Sequence, residues 1–186
     1  MRYFEDMVVG TRTRASRTYK VTREEVIEFA TKYDPQPFHL DDEAAKATHF
    51  GRLSASGWHT GAMVMRLMVD TWKDAEPTAG LGSPGTDELR WVKPVYPGDT
   101  LTAVSEVIGL KENSNRETGT VYVRSTGRNQ HGDVVLEYCR WVMVRKRDKA
   151  SPAPEAVVPK LPDRVDPKDL AAAVPPLDAS KYDFDL

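Results

Sequence analysis

Asp34 and His39 stand five residues apart in the segment YDPQPFHLD, residues 33–41. A carboxylate and an imidazole that hold the same water molecule can take one proton from it and deliver another to a nearby carbon. The two prolines of the segment restrict the backbone on which the pair lies. The pair therefore predicts acid–base chemistry, such as the addition of water beside a carbonyl group.

The segment SASGW at residues 54–58 is typical of the start of a helix. We interpret Ser56 as its N-cap. Gly57 has no side chain, so a carbonyl oxygen can approach the free N–H groups and positive dipole end of the helix. This arrangement predicts a site that stabilises negative charge on that oxygen. Neither Ser54 nor Ser56 lies in a G-x-S-x-G context, so a nucleophilic serine is not predicted.

Taken singly, the same residues have structural interpretations. Asp34 before a proline is a common residue at the end of a helix, and His39 alone is more often a loop histidine than a catalyst. His39, His49 and His59 recur every ten residues, which is not the spacing of a local metal site, so no metal is predicted. Only the combination of the pair with the following helix favours catalysis.

The elements that must position the pair can be predicted from local patterns. Thr22 and Glu25 form a capping box that begins a helix, and the prolines after Asp34 end it. Residues 41–46 predict a short second helix, and Gly57–Lys73 predicts a long helix, apolar on nearly all sides and therefore buried. Its large apolar side chains are expected in the core or in the wall of an acyl tunnel. They are Met63, Met65, Met68 and Trp72.

The second half of the chain predicts strands. Four segments separated by turn sequences are strand-like, and a first strand is expected within residues 11–21. The four are residues 86–95, 100–110, 117–126 and 134–146. Short connections between long strands indicate antiparallel neighbours. We therefore predict an α+β fold in which an antiparallel sheet wraps around the long helix.

The length of 186 residues suits one domain with an appendage. We place the domain at residues 1–148 and a tail at 149–186, because the tail holds seven of the thirteen prolines. The tail is either disordered or an extended arm, with a short helix at residues 166–171. The apolar residues that would anchor such an arm are Leu161, Leu170, Tyr182 and Phe184.

Composition excludes several classes of function. A net charge of −2 argues against a nucleic-acid partner. The N-terminus does not have the pattern of a signal peptide, and no apolar run reaches the ~20 residues of a membrane span, so we expect a cytoplasmic protein without a membrane partner. The single cysteine, Cys139, is predicted to be a small core residue.

Three segments together resemble the MaoC-like acyl dehydratases, which are (R)-specific enoyl-CoA hydratases with a hot-dog fold. They are DPQPFHLD at residues 34–41, ASGW at 55–58 and PVYPGDTL at 94–101. The resemblance covers roughly residues 5–146. It implies a sheet around a central helix and a homodimer. It also implies an acyl-CoA thioester substrate and hydration of a trans-2-enoyl thioester or the reverse reaction. Coenzyme A is then part of the substrate, and no separate cofactor is expected.

The resemblance also implies roles for individual residues. Asp34 and His39 match the catalytic acid and imidazole, and Gly57 matches the position whose backbone N–H faces the thioester oxygen. Tyr33 and Gln36 replace the Gly and Asn that are more usual there, which indicates that the acyl pocket differs at these positions. Residues assigned to substrate binding are Phe38, Ser56, Trp58 and His59. Weaker candidates for binding the CoA phosphates are Arg52, Arg90 and Lys93.

Two other functions remain open on the same fold. One is an acyl-CoA thioesterase, and the other is a non-catalytic subunit that binds acyl-CoA. Thioester hydrolysis can use one acid on the central helix, but no Asp or Glu occurs between Glu43 and Asp70. The start of this helix is therefore free of acids, which favours hydration.

Overall fold

The computed structural model describes residues 1–73 and 75–160, in which a seven-stranded antiparallel sheet curves around one long helix. The strands are β1 (Arg12–Arg14), β2 (Tyr19–Lys20), β3 (Gly80–Gly82), β4 (Thr86–Trp91), β5 (Thr100–Glu112), β6 (Thr118–Arg128) and β7 (Val134–Arg145). The helices are α1 (Arg23–Tyr33), α2 (Pro37–Leu40), α3 (Asp42–Lys46) and α4 (Gly57–Lys73), after a 3-10 turn at Phe4–Asp6. The strand order is β1-β5-β6-β7-β3, with β2 beside β5 and β4 beside β7. This layout confirms the predicted α+β hot-dog fold.

Side-chain caps form at both early helices, and the one at Thr22 was predicted. The Thr22 hydroxyl accepts a hydrogen bond from the Glu25 backbone N–H at 3.2 Å and begins α1. The Glu25 carboxylate accepts from the Thr22 hydroxyl, also at 3.2 Å, and not from the backbone N–H that the capping box predicts. At α3 the Asp41 carboxylate accepts from the Ala44 N–H at 2.9 Å. The caps at Thr22 and Asp41 satisfy N–H groups that have no partner within their helix.

Several boundaries differ from the prediction. The segment between α1 and α3 is not all loop, because Pro37 occupies the first position of the one-turn helix α2, where its missing N–H costs nothing. The expected first strand is divided into β1 and β2. The expected strand 86–95 ends at Trp91, and the short strand β3 lies in a segment predicted as loop.

The helix α4 has the predicted bounds, but it is not buried on all sides. Met63 and Met68 lie in the core, as expected, whereas the prediction of core positions for Met65 and Trp72 is wrong. Trp58 is 64% exposed and Trp72 is 39% exposed. One face of α4 therefore carries an exposed stripe, which we define as Trp58, Ala62, Met65 and Trp72.

The core lies between α4 and the inner face of the sheet. Alternate residues of β5, namely Leu101, Ala103 and Ser105, point inward and are buried. Gly127 of β6 allows α4 to approach the sheet, because a Cβ placed there would lie 2.6 Å from the Val64 side chain. A second cluster of apolar residues surrounds Phe4 at the other end of β5, β6 and β7. Within the described residues, no helix is both long and apolar enough to cross a membrane.

Residues 149–160 lie against the sheet. The buried Lys146 ammonium donates to the Glu112 carboxylate at 2.6 Å and to the Ser151 carbonyl at 2.8 Å. Further on, Val157 and Leu110 exchange two backbone hydrogen bonds of 2.7 and 2.8 Å. The predicted helix at residues 166–171 and the predicted anchors Leu161, Leu170, Tyr182 and Phe184 lie outside the described residues.

We predict that Gly127→Ala destabilises the protein by about 1–3 kcal/mol, because the added methyl group forces α4 away from β6. The matched control is Gly85→Ala, whose Cβ meets nothing within 4 Å and which should change stability by less than about 0.5 kcal/mol. Urea unfolding measures both variants. Equal stability of the two would show that α4 does not need this close approach.

Candidate active site

The ends of α1 and α2 bring Asp34 and His39 together. Asp34 is the C-cap of α1, and its backbone N–H donates to the Ala30 carbonyl at 2.9 Å. His39 lies in α2 and is buried. The distance from Asp34 Oδ2 to His39 Nε2 is 3.6 Å. The two residues that the sequence pairs are therefore neighbours, although this distance is longer than a good hydrogen bond.

Two side chains donate hydrogen bonds to the Asp34 carboxylate. The Ser56 hydroxyl donates to Oδ2 at 2.7 Å, and the Gln36 amide donates to Oδ1 at 2.8 Å. Burial raises the pKa of Asp34, but these two hydrogen bonds and the nearby His39 outweigh it, so that the pKa lies below its ordinary value. Asp34 is therefore a carboxylate at neutral pH and can accept a proton.

The backbone fixes the orientation of the His39 ring. Its Nδ1 lies 2.7 Å from the Ser54 carbonyl oxygen. A carbonyl oxygen only accepts, so Nδ1 carries the hydrogen and Nε2 faces Asp34. The segment that supplies this carbonyl is held in turn by a bond from the Ser54 N–H to the Phe38 carbonyl at 3.3 Å.

Ser56 joins this pair to the start of α4. Its hydroxyl accepts from the Trp58 backbone N–H at 3.2 Å while it donates to Asp34. The next residue, Gly57, begins the helix. The first N–H groups of a helix have no carbonyl partner within it, so they can receive an oxygen that acquires negative charge.

Trp91 is a neighbour of Gly57 that the sequence did not indicate. Its indole N–H donates to the Gly57 carbonyl at 2.7 Å, and a Cβ on Gly57 would lie 2.8 Å from the indole ring. Trp91 also meets Trp58 edge to face, with 5.2 Å between ring centroids. The sequence indicated only that Trp91 lies in a strand. The position of Trp91 opposite Leu136, which places it beside the helix start, follows from the strand register.

The remaining predicted binding residues lie in different surroundings. Phe38 packs edge to face against His39 at 4.6 Å and belongs to the wall of the site. His59 stacks on Phe29 at 4.6 Å, between α4 and α1. Its Nδ1 is buried without a hydrogen-bond partner among the described residues. Burial lowers the pKa of His59, although Glu25 raises it.

Of the three candidates for CoA phosphates, two are engaged with carboxylates. Lys93 pairs with Asp133 at 2.6 Å and Arg90 pairs with Glu88 at 3.3 Å. Arg52 is exposed and stacks over the Tyr96 ring at 3.9 Å. In the part of the chain that the structure describes, no three His, Cys, Asp or Glu residues are grouped to hold a metal ion.

Comparison with known proteins identifies the family of this chain. The model of the MaoC like domain matches residues 6–129. A mesaconyl-CoA hydratase of Cereibacter sphaeroides is 58% identical over 102 residues, which are 55% of this chain and 29% of that protein. A beta-methylmalyl-CoA dehydratase of Chloroflexus aurantiacus is 59% identical over 92 residues, or 50% and 25% of the two chains. The chain thus spans less than a third of these relatives.

Solved structures agree with this comparison. A MaoC-like dehydratase of Rhodospirillum rubrum superposes with a TM-score of 0.72 and is 38% identical, covering 80% of this chain and 99% of its own. A MaoC domain protein of Chloroflexus aurantiacus superposes with a TM-score of 0.74 and is 37% identical. It covers 98% of this chain, which corresponds to 51% of the solved chain.

We predict that Ser56→Ala raises the pKa of Asp34, because it removes a hydrogen bond that stabilises the carboxylate. Asp34 should then remain protonated to a higher pH, and the ¹³C carboxyl resonance of Asp34 in an NMR titration measures this. The matched control is Ser105→Ala, since Ser105 is buried beside Ser125 and Met68. An unchanged midpoint in Ser56→Ala would contradict the assigned hydrogen bond.

Proposed function

The chain belongs to the MaoC-like domain family, and from this membership we propose that it is a hydro-lyase. It adds water to a trans-2-enoyl-CoA or removes water from a 3-hydroxyacyl-CoA. The observation that carries the proposal is the pair of Asp34 and His39, 3.6 Å apart beside the start of α4. Coenzyme A belongs to the substrate, and the reaction needs no separate cofactor.

In the proposed reaction, Asp34 and His39 hold one water molecule between them. The lowered pKa of Asp34 keeps it ionised, and Nε2 of His39 is the ring nitrogen that faces the same point. One member of the pair takes a proton from the water as its oxygen attacks the β-carbon, and the pair then delivers that proton to the α-carbon, so that Asp34 and His39 end in the state in which they began. Each of these contributes about 10²–10⁴-fold to the rate.

The start of α4 has a separate role in this proposal. Attack at the β-carbon moves negative charge to the thioester oxygen, so donors must already be in place there. The Trp58 N–H is occupied by the Ser56 hydroxyl, and the N–H of Gly57, the first residue of the helix, is the proposed donor. The lack of a side chain at Gly57 does not by itself open a path for the thioester, because the Trp91 ring fills that space. Phe38, Ser56, Trp58 and His59 are proposed to surround the acyl group.

The relatives suggest the substrate class. Both matched proteins, a mesaconyl-CoA hydratase and a beta-methylmalyl-CoA dehydratase, have names that refer to methyl-branched four-carbon acyl groups with a second carboxylate. We propose that this chain acts on a short enoyl-CoA of the same kind. Trp91, packed on Gly57, supports a short acyl group because its ring occupies space beside the reacting carbons.

We further propose that two copies of the chain assemble as a homodimer. The exposed stripe of α4 carries two tryptophans and a methionine, and a face of this kind is typical of an interface. The edge strand β4 pairs with β7 on one side and, in the part of the chain that the structure describes, has no strand on the other. A second copy that pairs with β4 would also cover the stripe, since Trp58 contacts Trp91 of that strand.

A single assay separates hydration from hydrolysis. The whole chain is mixed with mesaconyl-CoA or crotonyl-CoA, and the absorbance of the conjugated thioester is followed together with release of free CoA thiol. We expect the absorbance to fall without thiol release. Thiol release at an intact double bond would instead identify a thioesterase, and binding without either reaction would identify an acyl-CoA-binding subunit.

Substitution tests the two roles. We expect Asp34→Asn and His39→Gln each to lower kcat for hydration by at least about 10²-fold, since each removes one proton-transfer group. The matched control is His49→Gln, because His49 is an exposed histidine. Thermal unfolding checks that each variant is folded. A folded Asp34→Asn or His39→Gln protein with nearly wild-type kcat would refute the corresponding role.

A further inference from the structure

Arg140 is a half-buried arginine on the inner face of the sheet. Its strand β7 places it opposite Val123 of β6 and two residues after Tyr138, which packs in the core with residues of α4. The guanidinium lies over the Trp72 ring of α4 at 4.6 Å. Its Nε is buried and has no hydrogen-bond partner among the described residues.

No carboxylate in the described part of the chain lies within ion-pair distance of Arg140, whereas several exposed arginines do have such partners. Arg12 pairs with Glu106 at 3.1 Å and Arg66 pairs with Asp70 at 3.0 Å. An exposed cation can be solvated by water, but a buried one needs an anion or acceptors near it. The exposed arginines therefore have carboxylate partners, whereas the more buried Arg140 has none among the described residues. This is the reverse of what burial requires.

A second unsatisfied group lies next to Arg140. The hydroxyl of Tyr138, two residues earlier on the same face of β7, is also buried without a partner among the described residues. Burial lowers the pKa of Arg140, and Tyr138 partly counteracts this. A guanidinium and a hydroxyl on the same face of one strand can each donate a hydrogen bond to a carboxylate.

The proposed catalytic site of the same copy is too far away to share one acyl group with Arg140. Gly57 and Trp72 are separated by 15 residues of α4, which correspond to about 22 Å of helix. A four-carbon acyl group spans roughly 4–5 Å, since three carbon–carbon bonds of about 1.5 Å join its ends.

A second copy changes this geometry. A two-fold axis perpendicular to the sheet can pair the open edge of β4 with its own copy in antiparallel orientation. Both α4 helices then lie on one face of the joined sheet and run in opposite directions. The start of α4 in one copy therefore lies toward the end of α4 in the other, where Trp72 and Arg140 are found.

We propose that Arg140, with Tyr138 beside it, binds the free carboxylate of a dicarboxylic acyl-CoA that is held at Gly57 of a second copy. The inference rests on the proposed function, because it assumes that the acyl-CoA lies at the start of α4. It gives a reason why Arg140 has no ion-pair partner among the described residues, and a means by which the site distinguishes a carboxylate-bearing acyl group from a simple one.

Binding of unreactive analogues tests the proposal without any turnover. Succinyl-CoA and butyryl-CoA both carry four-carbon acyl groups and differ in the terminal carboxylate. We expect wild-type protein to bind succinyl-CoA about 10- to 100-fold more tightly in calorimetry, the range for a hydrogen-bonded charged group. Arg140→Met should bring the two affinities close together, and Arg140→Lys should retain part of the preference.

The matched control is Arg145→Met, an exposed arginine of the same strand, which should keep the wild-type preference. Retention of the preference in Arg140→Met, or equal weakening of both analogues, would overturn the proposal. If Arg140→Met does not fold, the same comparison with Arg140→Lys decides. The hydration assay separately detects failure of the proposed function, because neither the double bond nor the thioester would then be lost.

Mixed dimers test which copy supplies Arg140. Asp34→Asn and Arg140→Met subunits are each expected to be poor in mesaconyl-CoA hydration. If Arg140 acts on the other copy, a mixed dimer contains one intact site, and activity recovers on mixing to as much as half the wild-type value per mixed dimer. Mixed dimers, verified by differential tags, that show no recovery would overturn the assignment to the second copy.

Discussion

The hydrogen bond from Ser56 to Asp34 joins the end of α1 to the start of α4, and the geometry of the site depends on it. The same hydroxyl accepts from the Trp58 N–H, so one side chain caps the central helix and orients the carboxylate. A hydrogen bond to a charged group contributes about 1.5–3 kcal/mol, and the lower end applies because the Asp34 side chain is 19% exposed. Ser54, two residues earlier, holds His39 through its carbonyl, so Ser54 and Ser56 connect both members of the pair to α4.

The parts of this site that the sequence predicted are those fixed by local chemistry. Thr22 and the prolines fixed the limits of α1, and the apolar composition after Gly57 fixed those of α4. The short spacing between Asp34 and His39 brought them together, since Asp34 ends α1 and His39 lies in the single turn of α2. The one-turn helix itself was missed, since a proline after a helix usually indicates its end, whereas Pro37 occupies the first position of α2.

The features of the site that the sequence did not predict depend on contacts between distant segments. Trp91 reaches Gly57 across 34 residues, and the inward direction of Arg140 follows from the register of β7 with β6. A shift of one residue would turn Arg140 outward, and nothing near it in the sequence fixes that register. The exposed stripe was also missed, because residue type alone does not distinguish an exposed apolar stripe from the core face of a helix. Composition alone therefore assigned Met65 and Trp72 to the interior.

The distance between Asp34 and His39 bears on the choice between hydration and hydrolysis. At 3.6 Å the two groups are beyond a strong direct hydrogen bond, yet both can contact one water molecule. Two groups on one water suit a reaction in which one proton leaves and another is delivered to the adjacent carbon. Hydrolysis requires water at the carbonyl carbon itself, next to the Gly57 N–H, and the first turn of α4 carries no acid to hold it there. The Ser56 hydroxyl holds Asp34 near this helix start, but Asp34 also lies beside His39. A water molecule that contacts both side chains is what addition across a double bond requires.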